Sequence, residues 1–340
     1  MDNIAVVILN WNGVELLKKF LPNIVKYSNL PNTKVYVADN ASTDESVKYI
    51  KQNFAEVGIV INDKNYGFAE GYNKALKFID AKYYAIINSD IDVTEGWLNG
   101  LLETIESSSN IAVVQPKIRA YKNPEYFEYA GAAGGLIDKY GFTFCRGRLF
   151  NVFEKDENQY NENADIFWAS GACFFIKADL FHNVGGFDAD FFAHMEEIDL
   201  CWRLKNRGYR IVYTPNSTIF HIGGATLEES NPFKTYLNFR NNLFLLYKNL
   251  PQNKLHKILI ARLLLDGIAG IKFLISLELK NFKAVLKAHY YFYTNLKIFK
   301  PKREKNIANN TNYKHNEIYN KSIVYDFFIK KIKKYSELKF

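Results

Sequence analysis

Through its first third the chain alternates short apolar runs with amphipathic stretches of helical period, and few folds accommodate that alternation. Residues 4–9 form a continuous apolar run, suited to a strand buried on both faces. Gly13 breaks the pattern, and 14–27 reads as a helix presenting Leu16, Leu17, Phe20, Leu21 and Ile24. Further strands are expected at 34–38, 57–61, 83–87 and 111–114, with helices at 68–79 and 95–105. Ser42, followed three residues on by Glu45, has the pattern of a capping box, so a helix should start there too. Repeated β-α-β units imply a mostly parallel sheet covered by helices, an α/β fold.

The 340 residues suffice for one large domain or two medium ones, and a hydrophobic content of 48% supports a substantial core. Cys145, Cys173 and Cys201 are too few for a disulfide framework and lack metal-ligand spacing, which points to a reducing compartment. The start has no basic segment or cleavage site of a secretory leader. Charges interrupt every long apolar stretch, so no membrane span is expected. The net charge of +8 conceals a split: residues 231–340 carry 22 Lys and Arg against 6 Asp and Glu, whereas 1–230 carry 22 against 30. The basic part therefore suits an anionic surface.

Ligands of open α/β sheets bind beyond the carboxyl ends of the strands. Polar clusters fall at those ends here: Asn10-Trp11-Asn12-Gly13, Asp39-Asn40-Ala41-Ser42, residues 62–67, and Ser89-Asp90-Ile91-Asp92. One cluster is an ordinary turn; four in register describe a polar crevice. Asp90 and Asp92 repel one another, and a divalent cation relieves that repulsion. Mg²⁺ commonly takes one or two carboxylates together with substrate phosphate oxygens, so the doublet fits a metal holding a diphosphate. A helix cap is the structural alternative for these residues.

The ordered motifs VVILNWNG (6–13), VADNASTD (37–44), NYGFAEGYN (65–73), INSDIDV (87–93), 168–192, MEEIDLCWRLKNRGYRIVYTP (195–215) and HIGG (221–224) resemble family 2 glycosyltransferases of the rhamnosyltransferase-like branch. The resemblance implies a GT-A fold over residues 1–230: a Rossmann-like, mostly parallel sheet flanked by helices. Residues 231–340 would form a basic helical C-terminal extension. It implies an inverting, metal-dependent transfer of sugar from a nucleotide-sugar donor, with dTDP-rhamnose the best guess, in cell-surface polysaccharide synthesis. Asp39 then resembles the acid that contacts the nucleobase. Asn10, Asn40, Gly67 and Asn73 would line the nucleotide site, Asp90 would face the phosphates, and Asp90, Asp92 and His221 would hold Mg²⁺ or Mn²⁺. Of Glu196 and Glu197, standing where the family usually has Glu-Asp, Glu197 is the candidate catalytic base.

The residues themselves admit these roles. Sugar transfer needs a base for the acceptor proton and positive charge for the leaving diphosphate. Adjacent glutamates at a helix start point in different directions, so one suffices, although both also suit the helix dipole. Trp168 could stack on a sugar ring or pack in the core. Asp188, in a Gly-Gly-Phe-Asp turn, is placed near the acceptor or serves the turn alone. Asp199 and Arg203, four apart, read as a structural ion pair. His182 and His194 read as ordinary histidines, and Cys173 and Cys201 as core.

In the basic tail, Lys280, Lys283 and Lys287 share one helical face and Phe282, Val285 and Leu286 the other. With Tyr290, Tyr291, Phe292 and Tyr293 nearby, this suits a helix lying on an anionic membrane surface; a packing domain or homodimer interface is the alternative. No base-reading motif points to nucleic acid. The expected acceptor is a glycan or lipid-linked saccharide, and the expected location is cytoplasmic, peripheral at the inner face of the cell membrane. A nucleotidyltransferase would need a cationic phosphate loop that Asn10-Trp11-Asn12-Gly13 lacks. A non-catalytic nucleotide-sugar- or glycan-binding assembly protein would have no use for the retained acids.

Overall fold

The computed structural model describes residues 1–223 and 231–340. Its first part follows the expected alternation: β1 (Asp2–Asn10), α1 (Val14–Tyr27), β2 (Thr33–Asp39), α2 (Ser46–Asn53), β3 (Gly58–Ile61), α3 (Gly67–Ala75), β4 (Ala81–Asn88), β5 (Ile91–Val93), α4 (Trp97–Glu106) and β6 (Ile111–Ala120). Residues Ile4 to Ile8 of β1 are fully buried, consistent with helices on both faces of the sheet. One face receives Leu17, Phe20, Leu21 and Ile24 of α1.

The helix expected from Ser42 starts at Ser46 instead. Ser42 is engaged elsewhere: its Oγ accepts from the Asn12 N–H at 2.9 Å and from Asn10 Nδ2 at 3.1 Å. Asp44 takes over at the helix start, accepting the Ser46 N–H at 3.0 Å. Tertiary demand at the strand ends thus overrides a local capping pattern.

The irregular middle supplies β7 (Gly135–Asp138), β8 (Thr143–Cys145), β9 (Arg148–Leu149), β10 (Val152–Phe153) and β11 (Ala164–Ile166). β12 (Cys173–Lys177), α5 (Ala178–Asn183), α6 (Glu196–Asn206) and β13 (Arg210–His221) follow. The large sheet runs β11-β13-β6-β12-β4-β1-β2-β3, with β5 paired to β13. β3, β2, β1 and β4 are parallel, and β12 inserts antiparallel between β4 and β6. The strand order reverses at β1, so the crevice expected of an open sheet opens beside the carboxyl ends of β1 and β4.

The C-terminal part contains α7 (Pro232–Asn249), α8 (Gln252–Ile275), α9 (Leu279–Thr294), α10 (Leu296–Ala308), β14 (Ile318–Tyr319) and α11 (Ile323–Phe328). Leu243, Phe244, Leu245 and Leu246 of α7 join the same core as Tyr84 and Phe174 of the sheet. β14 returns to pair with β7 in the smaller sheet. The boundary expected at 230/231 adjoins residues 224–230, outside the described residues, as does Gly224 of the HIGG motif.

Asp188, expected near the acceptor, is instead tied to this C-terminal part. Lys248 Nζ lies 2.5 Å from its Oδ2, and Lys302 pairs with Oδ1. Burial alone would raise the Asp188 pKa, but Lys248 and Lys302 outweigh it and hold the carboxyl far below the usual range. Lys248 also reaches Asp199 Oδ2 at 2.9 Å, and Arg203 Nε meets that same oxygen at 2.8 Å. Lys248 is thus a buried cation joining α7 to two acids of the N-terminal part. Lys248→Met should destabilise the protein by roughly 3–5 kcal/mol, because it leaves buried carboxylates short of a partner. A urea denaturation midpoint unchanged from wild type would refute this role.

Candidate active site

Three polar strand ends form a hydrogen-bonded platform. Buried Asn10 donates through Nδ2 to Asp39 Oδ1 at 3.0 Å, and Asp39 Oδ2 accepts the Ser42 N–H at 2.8 Å. Asn40 Nδ2 donates to the Gly67 carbonyl at 2.9 Å, and Asn62 Nδ2 donates to Asn40 Oδ1 at 2.9 Å. Gly67 has φ +72°, and a Cβ there would sit 2.9 Å from the Phe192 ring, so both backbone and space require glycine. Asn73 does not join this platform. Its Nδ2 donates to the Phe187 carbonyl at 2.7 Å and its Oδ1 accepts the Phe187 N–H at 3.0 Å, which pins the turn ahead of α6.

Beside the platform lies a cavity of about 500 Å³ whose lining includes Asn88, Asp90, Glu128, Ser170, Glu196 and Glu197. Trp168, His194 and His221 complete the parts relevant to chemistry. Trp168 is oriented by its Nε1, which donates to the Leu136 carbonyl at 2.9 Å. Asp90 occupies the turn after β4, and His221 ends β13, which pairs with β5 so that His221 faces Ile91. That pairing brings His221 Nε2 to 3.1 Å from Asp90 Oδ1.

Asp92 takes another direction. Ile91 and Val93 turn into the core, and Asp92, on the other face of β5, accepts from Asn23 Nδ2 of α1 at 3.0 Å. Because Asp90 belongs to the turn and not the strand, the two-residue alternation does not carry from it to Asp92. The cavity therefore contains Asp90 and His221 without Asp92.

His221 Nδ1 lies 3.1 Å from Glu128 Oε2 but makes no properly directed hydrogen bond. Burial would lower the histidine's pKa; the contacts with Asp90 and Glu128 outweigh it and hold the group at about 10. The imidazolium thus sits between two buried carboxylates, in a place built for positive charge. Among the described residues no three His, Cys, Asp or Glu side chains form a ready metal cage. Two protein ligands fit a cation that completes its shell with substrate phosphate oxygens and water.

Glu196 and Glu197 open α6 from the far side of the cavity. Each has an Oε2 shut from solvent with no hydrogen-bond partner. Burial lifts Glu197 to about 7, and burial with the Glu197 charge lifts Glu196 well above the usual range. An acid poised near neutrality inside a cavity is suited to proton transfer.

The loop that delivers these acids is strained. Phe192, His194 and Met195 have φ of 66°, 68° and 75°. Asn241 of α7 holds it, donating through Nδ2 to the Phe191, Ala193 and His194 carbonyls at 3.0, 2.8 and 2.7 Å. Strain over-determined by surrounding contacts is typical of working sites.

Several lining residues escaped the sequence reading. Glu128 sits in the aperiodic stretch and nothing in its neighbours marks it. His194, read as an ordinary histidine, lines the cavity with an unpartnered Nε2, and burial lowers it to about 4. Its place directly before Met195-Glu196-Glu197 was the available signal. His182, by contrast, contacts the Tyr84 hydroxyl at 2.9 Å and is structural. Cys173 and Cys201 are buried core thiols.

A sheet with its acids gathered at the carboxyl ends, over a cavity with a histidine on one wall and unpaired glutamates on another, is the arrangement of a GT-A glycosyltransferase. The structure of GalNAc-T7 with UDP, GalNAc and Mn²⁺ superposes with a TM-score of 0.59 over 73% of this chain at 16% identity; the match spans about half (48%) of that protein. The mannosyltransferase PcManGT from Pyrobaculum calidifontis, in complex with GDP-Man and Mn²⁺, gives 0.53 over 90% of this chain and 84% of its own, at 14% identity. The family model "Glycosyl transferase family 2" matches residues 5–185, and the chain belongs to that family. It is a glycosyltransferase with rhamnosyltransferase-like relatives. The N-acetylglucosaminyl-diphospho-decaprenol L-rhamnosyltransferase of Mycobacterium tuberculosis is 25% identical over 238 residues, 65% of this chain and 76% of that protein. Rhamnosyltransferase WbbL of Escherichia coli is 24% identical over 229 residues, 64% of this chain and 83% of its own.

Proposed function

We propose that this chain is an inverting glycosyltransferase that moves rhamnose from dTDP-rhamnose to a lipid-linked saccharide acceptor during cell-surface polysaccharide synthesis. The observation that carries the reading is the cavity itself, with Asp90 and His221 on one wall and unpaired Glu197 on another. Asp90 and His221 would hold a divalent cation, Mg²⁺ or Mn²⁺, in place of the proton on His221 Nε2, and the cation would supply positive charge to the leaving diphosphate. Asp39, fixed by Asn10 and Ser42, would receive the nucleobase beside β2. Glu197 takes the proton of the acceptor hydroxyl as that oxygen bonds to the anomeric carbon. The bond from that carbon to the diphosphate oxygen breaks, and its electron pair leaves with the nucleoside diphosphate. One displacement inverts the anomeric configuration. The relatives named for rhamnosyl transfer, one of them to a decaprenol-linked sugar, favour this donor and acceptor class. Product formation with dTDP-rhamnose, UDP- and GDP-sugars against a lipid-diphosphate-linked N-acetylglucosamine analogue tests it; transfer from a different donor alone would overturn the rhamnose assignment.

We also propose that the protein lies on an anionic membrane surface. No helix of the described residues is long and apolar enough to cross a membrane. α8, however, is inside-out: Arg262 and Asp266 are buried, while Ile260, Leu264, Ile268, Ile271 and Ile275 are 56–77% exposed. An outward apolar stripe of this extent marks an interaction surface. Leu286 of α9, expected on the packed face, is 55% exposed and extends the apolar surface. Residues 252–300 carry eight lysines, all exposed, which complement anionic headgroups. The protein should float with vesicles containing phosphatidylglycerol, and Leu264→Asp with Ile268→Asp should lose flotation at unchanged activity on a water-soluble acceptor. A wild-type dimer that the same double substitution dissociates, without flotation, would assign the face to a second copy instead.

A further inference from the structure

A second cavity, of about 540 Å³, adjoins the first and shares Tyr129, Thr143, Arg148, Met195, Lys234 and Asn238 with it. It lacks the acids of the first. The catalytic cavity is lined by Asp90, Glu128, Glu196 and Glu197; the second is lined by Arg148, Lys234 and Arg262 and by no carboxylate.

Two of those cations are buried and incompletely used. Arg262 is 3% exposed; Nη2 reaches Asp266 Oδ1 at 2.8 Å, while Nε and Nη1 have no hydrogen-bond partner. Arg148 is 6% exposed; Nη1 donates to the Phe150 carbonyl at 3.1 Å, and Nε has no partner. Buried guanidinium N–H groups without acceptors are costly, and a phosphate oxygen is their natural complement.

The far side of this cavity is apolar and leads outward. Phe142 stacks under Arg262, with the guanidinium 3.9 Å from the ring centroid. Phe150 packs against Phe328 at 5.1 Å, and Phe328, itself 43% exposed, lies 5.9 Å from Lys272 Nζ on α8. A line of packed aromatic rings therefore runs from the cationic cavity to Lys272 of α8, the helix that bears the exposed apolar stripe.

We propose that the second cavity seats the phosphate or diphosphate of the acceptor, with Arg262 and Arg148 as its donors and the Phe150–Phe328 route carrying the lipid. This rests on the lipid-linked acceptor reading above. The acceptor's sugar then extends into the adjoining catalytic cavity towards Glu197. Arg262 enters only the second cavity, so it separates the two sites experimentally.

The test is binding of farnesyl diphosphate, farnesyl phosphate and farnesol to the full chain in EDTA, where metal-dependent donor binding is silent. The wild type should bind both phosphorylated lipids at least tenfold more tightly than farnesol. Arg262→Gln should lose that preference tenfold or more. Asp266→Asn, which breaks the same buried ion pair but keeps the guanidinium, should retain it; parallel loss in both variants would mean that Arg262 only supports α8, and would overturn the proposal. Tight farnesyl diphosphate binding that Arg262→Gln leaves intact would overturn this cavity's role while leaving the lipid-linked acceptor standing. Failure of the wild type to bind any of the three would overturn both.

Discussion

Replacing Glu197 by Gln should leave nucleotide binding within about twofold of wild type and lower turnover by roughly 10²- to 10⁴-fold, the usual contribution of a positioned general base. Gln keeps the shape and removes the ability to accept a proton. The acid is already primed: burial raises it to about 7, so near neutral pH it interconverts readily between its two forms. The rate should therefore rise with pH towards a plateau, with a midpoint near 7 that belongs to the Glu196–Glu197 pair jointly. The stability consequence has the opposite sign. A carboxyl whose folded pKa lies above its unfolded value stabilises most below the unfolded value, and that contribution is lost as pH rises towards 7. Glu197→Gln should remove that part of the pH dependence of the melting temperature along with the activity. Wild-type turnover in Glu197→Gln would remove Glu197 as the base. Loss confined to Glu196→Gln would transfer the role to its neighbour.

The parallel half of the fold was legible because a strand buried on both faces leaves a plain apolar run, as β1 and β4 do, whereas β3 at the sheet edge is only partly buried and exposes Ile61. The antiparallel insertion of β12 was not, since a buried Cys-Phe-Phe-Ile run records burial but no direction or neighbour. The layout of the candidate site was legible where its residues sit at strand ends: Asn10, Asp39 and Asp90 all lie there, and Glu197 stands at a helix start. It failed for three residues whose partners lie far along the chain. Asn73 holds Phe187, Asp188 meets Lys248 and Lys302, and Asp92 is met by Asn23. A side chain at a suggestive position can be claimed by a partner 60 or more residues away, and local sequence does not announce it. The same physics hid α8. Its lysines and leucines look like an ordinary amphipathic helix, and only packing reveals that the charged Arg262 and Asp266 face inward.

Asp90→Asn should abolish metal-dependent nucleotide binding, while Asp92→Asn should retain it. The sequence treats these acids as a doublet, but the fold separates them: Asp90 faces His221 in the cavity, and Asp92 faces Asn23 outside it. Asp90→Asn takes a full negative charge from a site that must hold a divalent cation and a diphosphate together. The expected loss is about 3 kcal/mol or more, roughly 10²-fold in affinity for UDP or dTDP measured calorimetrically with Mn²⁺. Asp92→Asn keeps a hydrogen-bonding side chain beside Asn23 and should change stability by less than about 1 kcal/mol. The comparison with EDTA distinguishes a metal site from a merely electrostatic one. If Asp90 only balanced the His221 charge, nucleotide affinity would be equally low with and without Mn²⁺ in the wild type, and Asp90→Asn would change both alike. If it holds the metal, the wild type gains affinity from Mn²⁺, Asp92→Asn keeps that gain, and Asp90→Asn does not. Equal loss of the gain in both variants would restore the doublet and require the turn at Ser89-Asp90 to rearrange when substrate binds.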